Sequence, residues 1–153
     1  MRLDVRYANH PEDSKHYTTE ELRKHYLIEK VFIEDEVNLV YSHVDRVIAG
    51  GITPVKESLK LEGCKELGSE YFLERRELGV INIGGNGKIT IDGKVYEVKS
   101  REGLYVGMGS KELIFTSDDE KNPAKFYINS SPAHKTYPTV MIDLEKANKV
   151  HLG

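Results

Sequence analysis

Six histidines, His10, His16, His25, His43, His134 and His151, are the side chains of this chain best suited to bind a transition metal or to carry a proton near neutrality. Their spacing argues against the first use. None stand at i, i+2 or i, i+4, whereas a zinc site gathers about four donors on one ion. The chain is therefore expected to hold no metal of its own. A second constellation is Tyr41-Ser42-His43-Val44-Asp45-Arg46. On a strand, His43 and Asp45 share a face and can form a hydrogen-bonded couple for acid–base work. The competing reading, a polar strand edge or an interface ion pair, is preferred because no metal is expected beside it. The densest charge run is Glu74-Arg75-Arg76-Glu77. Strand alternation puts Glu74 and Arg76 on one face and Arg75 and Glu77 on the other. The planar fork of Arg76 suits bidentate recognition of a carboxylate, against a structural or subunit-contact role, which is preferred. Gly84-Gly85-Asn86-Gly87 precedes a strand rather than a helix, so it reads as a turn and not as a phosphate cradle.

Strands must position these groups. Between 71 and 109 apolar residues recur at Leu78, Val80, Ile81 and Ile83, again at Ile89 and Ile91, and again at Val95 and Val98, which is mostly strand periodicity cut by Gly-rich turns. Asp92-Gly93 is a two-residue hairpin signal, since a type I′ turn needs positive φ at both central positions. Further strands are expected over 37–41, 44–49, 52–61, 103–107, 112–116 and 124–129. Residues 1–17 read as an extended arm. Thr18 and Glu21 have the spacing of a capping box, opening a helix that runs to about 28. Residues 62–69 read as a loop, 130–139 as irregular and 143–148 as a short helix or linker. Many short strands with frequent turns indicate a mainly β sandwich or barrel.

Composition narrows the function classes. A chain of 153 residues, 39% hydrophobic and 31% charged, suits one core. Its net charge of −3 and pI near 6.1 leave no basic footprint for nucleic acid. A lone cysteine, Cys64, makes no internal disulfide, and no apolar run approaches a membrane span. The N-terminal residues lack the apolar core of a signal peptide. The expected location is the cytoplasm.

The 71–109 stretch resembles the cupin family, with Glu77 at the family's motif glutamate, Gly84 at its glycine and Gly107-Met108-Gly109 in place of Pro-x-Gly. Both histidines of the first cupin motif are missing, their places falling among Glu70, Tyr71, Phe72 and Leu73. Glu112 replaces the histidine of the second. A more extensive resemblance runs through Glu29-Lys30-Val31-Phe32, Tyr41 to Arg46, Gly50-Gly51, the block Tyr71 to Gly85, Leu104-Tyr105-Val106-Gly107, Pro123-Ala124-Lys125-Phe126-Tyr127, Ser131-Pro132-Ala133-His134 and Tyr137-Pro138-Thr139. In these the chain resembles the 5-keto-4-deoxyuronate isomerase family. That resemblance implies a cupin-type jelly-roll barrel preceded by a short N-terminal helix, and bicupin proteins of roughly twice this length. It implies a first barrel here: arm and helix over 1–30, barrel over 31–140, linker over 141–153 toward a second barrel. It also implies zinc held by three His and one Glu in that second barrel, and a homohexamer.

The implied reaction belongs to pectin and uronate breakdown: 5-dehydro-4-deoxy-D-glucuronate becomes 3-deoxy-D-glycero-2,5-hexodiulosonate. An aldose–ketose step of this kind moves a proton between adjacent carbons through an enediol, with a base and an electrophile such as zinc. His43, Arg46 and Arg76 are then the candidates to touch the uronate. If Glu77 points into the barrel as a cupin glutamate does, Arg75 is its expected partner in a structural pair at the vestigial site. The chain alone is expected to be inactive. Two alternatives stand beside this reading. One is a metal-free, non-catalytic module for sugar-acid binding or oligomer assembly. The other is a self-sufficient isomerase using Glu77 and Glu112 as acid and base.

Overall fold

The computed structural model describes residues 1–148 and 150–152; Lys149 and Gly153, at the C-terminal end of the expected linker, lie outside the described residues. The chain is mainly β, and its strands are β1 (Arg2–Arg6), β2 (Glu36–Ser42), β3 (Ile48–Thr53), β4 (Leu59–Lys60), β5 (Arg76–Asn82), β6 (Gly87–Ile91), β7 (Lys94–Val98), β8 (Gly103–Val106), β9 (Leu113–Ser117), β10 (Phe126–Pro132) and β11 (Val140–Ile142). They form a seven-stranded sheet, β1-β2-β3-β10-β5-β8-β11, and a four-stranded sheet, β4-β9-β6-β7. In the larger sheet β10 runs between β3 and β5, and in the smaller β9 runs between β4 and β6. Such insertions of late strands between early ones mark jelly-roll rather than meander connectivity.

One core holds the sheets together. Leu39, Ile52, Val80, Leu104, Phe126 and Ile128 of the larger sheet and Ile89, Leu113 and Phe115 of the smaller are all buried. Phe115 and Phe126, on opposite sheets, meet edge to face with centroids 5.4 Å apart, a geometry the ring quadrupoles favour. The β6–β7 hairpin turns at Asp92 (φ 48°) and Gly93 (φ 83°) as its sequence requires.

Several expectations need correcting. Residues 1–17 are not a bare arm: β1 pairs in parallel with β2, Leu3 opposite Leu39. Two short helices, α1 (Pro11–Ser14) and α2 (Thr19–Tyr26), follow β1 where one was expected. The capping box of α2 is present, with Glu21 N–H donating to Thr18 Oγ1 and Thr18 N–H donating to the Glu21 carboxylate. The strand expected over 44–49 starts only at Ile48, where β3 begins. Residues 43–47 turn the chain from β2 into β3, with Asp45 (φ 53°) and Arg46 (φ 55°) both left-handed. The strand expected over 52–61 divides into the end of β3 and the short β4. At the other end β11 pairs with β8 through Met141 and Leu104, so strand structure runs past 140. Residues 143–148 make only a turn, Ala147 N–H to Asp143 O.

Candidate functional site

β5 shows which of the charged residues enters the barrel. Along it Arg76, Leu78, Val80 and Asn82 are buried, while Glu77, Gly79 and Ile81 face outward. Period-2 alternation makes this an either-or choice, and the apolar pair Leu78 and Val80 decides it. Arg76, not Glu77, takes the interior position. The expected Glu77–Arg75 pair is therefore absent. Glu77 accepts a 2.8 Å hydrogen bond from Tyr105 Oη, and Arg75, with 76% of its side chain exposed, lies 3.4 Å from Glu74. Burial, and next the hydrogen bond to Glu77, push the Tyr105 phenol up to about 12.

Arg76 is only 7% exposed. Its Nε donates to Ser130 Oγ (3.1 Å), and its Nη2 donates to Ser130 O (2.8 Å) and Arg46 O (2.6 Å). The guanidinium lies over the Tyr41 ring, 5.7 Å from its centroid. Ser130 in turn donates through Oγ to Glu77 O at 2.6 Å, which ties β10 to β5 beneath the arginine. Burial pushes the Arg76 guanidinium below its usual range; Tyr41 opposes that shift and Arg46 adds to it. A guanidinium is not deprotonated in proteins, so Arg76 keeps its charge at neutral pH.

The structure places the other predicted residues as follows. Arg46 sits in the exposed β2–β3 turn, and its left-handed backbone turns its carbonyl to Arg76. His43 lies outside any strand, between the rings of Tyr7 (4.7 Å) and Tyr41 (5.0 Å). The His43–Asp45 couple expected from strand alternation has no strand to carry it. Arg76 and His43 nevertheless both lie against the Tyr41 ring, and Arg46 meets Arg76 through its backbone carbonyl, at one end of the barrel. Glu112 is elsewhere: it pairs with Lys60 at 2.9 Å beside the smaller sheet, while Glu77 is on the outer face of the larger one, so the two glutamates do not face each other as an acid–base pair.

Among the described residues no three His, Cys, Asp or Glu side chains converge as a metal-binding group. Nor, among them, is any helix long and apolar enough to cross a membrane. An open groove of about 550 Å³ runs between α2 and the β1–β2 edge, lined by Arg2, Arg6, Arg23, Lys24 and Lys30 but also by Asp4, Glu20 and Glu29. Its charges are largely matched, as in Arg6–Asp4 and Arg23–Glu29.

Sequence reasoning missed two residues. Asn82 is fully buried at the far end of β5, donating to Gly85 O (2.7 Å) and Val98 O (2.8 Å) and accepting from Gly84 N (3.1 Å) and Lys125 N (3.2 Å). Ser130 falls in the segment expected to be irregular, and the structure puts it in β10. The alternation from Leu78 and Val80 carried the signal for Asn82. None marked Ser130.

A family model described as the KduI/IolB family matches residues 26–153. The 4-deoxy-L-threo-5-hexosulose-uronate ketol-isomerase of Lachnoclostridium phytofermentans is 55% identical over 151 residues, covering 99% of this chain and 55% of that protein. The protein of the same name from Escherichia coli (strain SMS-3-5) is 53% identical over 153 residues, again 99% of this chain and 55% of the other. The chain thus spans about half the length of the curated relatives it matches. Among solved structures, a cupin protein from Bacteroides fragilis has a TM-score of 0.43 at 16% identity, covering 69% of this chain and 79% of that one. An RmlC-like cupin from Desulfovibrio desulfuricans has 0.47 at 19%, covering 71% and 94%. The family match across 26–153, with more than half the residues shared over nearly the whole chain, settles the assignment: the chain belongs to the KduI/IolB family.

Proposed function

We propose that this chain is the first cupin barrel of a ketol-isomerase that converts 5-dehydro-4-deoxy-D-glucuronate to 3-deoxy-D-glycero-2,5-hexodiulosonate. The observation that carries the reading is the 55% identity, over 99% of the chain, to a protein named as that ketol-isomerase. Zinc belongs to this proposal as the electrophile, with its ligands outside these 153 residues. The barrel then contributes scaffold and subunit contacts in a cytoplasmic homohexamer, and the 153 residues alone do not turn over.

The test compares two proteins: this chain, and a longer form of the relatives' length. The expected result is zinc-dependent isomerisation by the longer protein, abolished by a chelator and restored by zinc, with none from the 153 residues. Isomerisation by the short chain at a comparable rate would refute the division of labour. A longer protein that leaves the uronate unchanged would refute the activity itself. Light scattering on the longer form tests the hexamer. One observation favours a second reading, a sugar-acid binding module: the buried, charged Arg76 has no carboxylate partner among the described residues.

A further inference from the structure

Burying an arginine is costly unless its charge is matched and all of its donors are used. Arg76 meets neither condition. No carboxylate among the described residues lies within ion-pair distance of it, and the two carbonyls and one hydroxyl it bonds are neutral. Those bonds occupy Nε and Nη2; Nη1 donates to nothing among the described residues, yet it is not among the polar atoms sealed from solvent without a partner. The charged neighbour that acts on it is a second cation, Arg46, whose exposed guanidinium makes no ion pair among the described residues. Beside them the rings of Tyr7, His43 and Tyr41 follow one another at 4.7 and 5.0 Å.

Two unmatched cations, one of them buried with a donor to spare, lack an oxyanion. Aromatic faces alongside fit the C–H face of a pyranose better than a bare inorganic ion. We propose that Arg76, through Nη1, and Arg46 form a binding site for the carboxylate of a sugar acid at this end of the barrel, with His43 and Tyr7 against the sugar ring. In naming a sugar acid the proposal rests on the uronate reading above; the need for an anion rests on the charges alone. The site lies within this barrel, so binding is readable without turnover.

The test is calorimetric titration of the 153-residue chain with D-galacturonate, D-galactose and inorganic phosphate. Arg76→Ala leaves carbonyls unpaired in the interior and is exposed to misfolding, so the decisive variant is Arg46→Gly. It removes the cation, keeps the carbonyl that holds Arg76, and puts glycine at a left-handed position (φ 55°). A thermal melt checks that the variant is folded. The expected result is saturable binding of galacturonate that weakens with salt, no binding of galactose, and a loss of about tenfold or more in Arg46→Gly, the scale of one charged hydrogen bond. Equal binding of galactose, no saturation by galacturonate, or unchanged affinity in a folded Arg46→Gly would each overturn the site. Phosphate binding that galacturonate cannot match would overturn its assignment to sugar acids. Galacturonate binding by this chain, alongside a longer protein that does not isomerise, would keep the site and remove only the proposed activity.

Discussion

Asn82 is the interior position whose loss can be worked through most fully. It is completely buried, and its side chain stitches the end of β5 to the turn at Gly84–Gly85, to β7 at Val98 and to Lys125 just before β10. Asn82→Leu keeps the volume and removes all four bonds. The carbonyls of Gly85 and Val98 are bonded in fully buried surroundings; the amides of Gly84 and Lys125 are only partly buried and can find water. Leaving a buried carbonyl unpaired costs about 1–3 kcal/mol. Two of them give about 3–4 kcal/mol, a large share of the roughly 5–15 kcal/mol that holds a domain together. With an m-value of about 2 kcal/mol/M, the urea midpoint should fall by close to 2 M, read by far-UV circular dichroism. Asn82→Asp separates chemistry from shape. It keeps the acceptor toward Gly84 and Lys125 but turns a carboxylate oxygen toward two carbonyls, which raises its pKa in the folded state. An acid raised on folding stabilises least above its folded pKa. The deficit of Asn82→Asp against wild type should therefore grow as pH rises from about 4, the unfolded value, toward neutrality. A cost below about 1 kcal/mol for Asn82→Leu, or a deficit for Asn82→Asp that stays flat across that range, would refute the role given to these bonds.

Tyr105 should ionise later than the other tyrosines in an absorbance titration, since its phenol sits at about 12. Its contribution to stability is complete below pH 10, the unfolded value, and is lost as pH rises through 12; Glu77→Gln should bring the lagging phenol back toward its fellows. Thr18→Ala removes the cap of α2 at a local cost of about 1 kcal/mol. Because α2 buries no residue, amide exchange over Thr19–Tyr26 should quicken several-fold while the global melting temperature barely moves.

Local signals were legible wherever a short stretch decides its own conformation. The capping box and the Asp92–Gly93 turn needed no tertiary help, and the alternation at Leu78 and Val80 placed β5. Pairing between distant segments was not legible. β1 is five residues with charges at three of them, and it is a strand only because β2 offers an edge. The 44–49 segment misled because Val44 and Val47 flank polar residues in a way that imitates a strand. Asp45 tolerates the left-handed region, but Arg46 gives no hint of it, and the turn there is set by β2 and β3 pairing on either side. The Glu77–Arg75 pair failed for a different reason. Motif correspondence pointed Glu77 inward, while the apolar parity of the same strand pointed it outward. Parity follows from burying Leu78 and Val80, and no single glutamate outweighs them.

The two polar residues on the inner face of β5 show how a structural group differs from a binding group. They lie six residues apart, about 20 Å along the strand. Asn82 has four hydrogen-bonding positions and fills all four within the protein, so nothing remains for it to do but hold three segments together. Arg76 carries five donors and a full charge, leaves one nitrogen unused, and has a second cation where a carboxylate would stabilise it. A barrel that needed only a bridge between Ser130 and Arg46 could use a neutral donor at position 76 without the cost of a buried charge. That the charge is there, matched by no carboxylate among the described residues, is the reason the proposed ligand site is put at the Arg76 end of the barrel, while the Asn82 end is part of the frame.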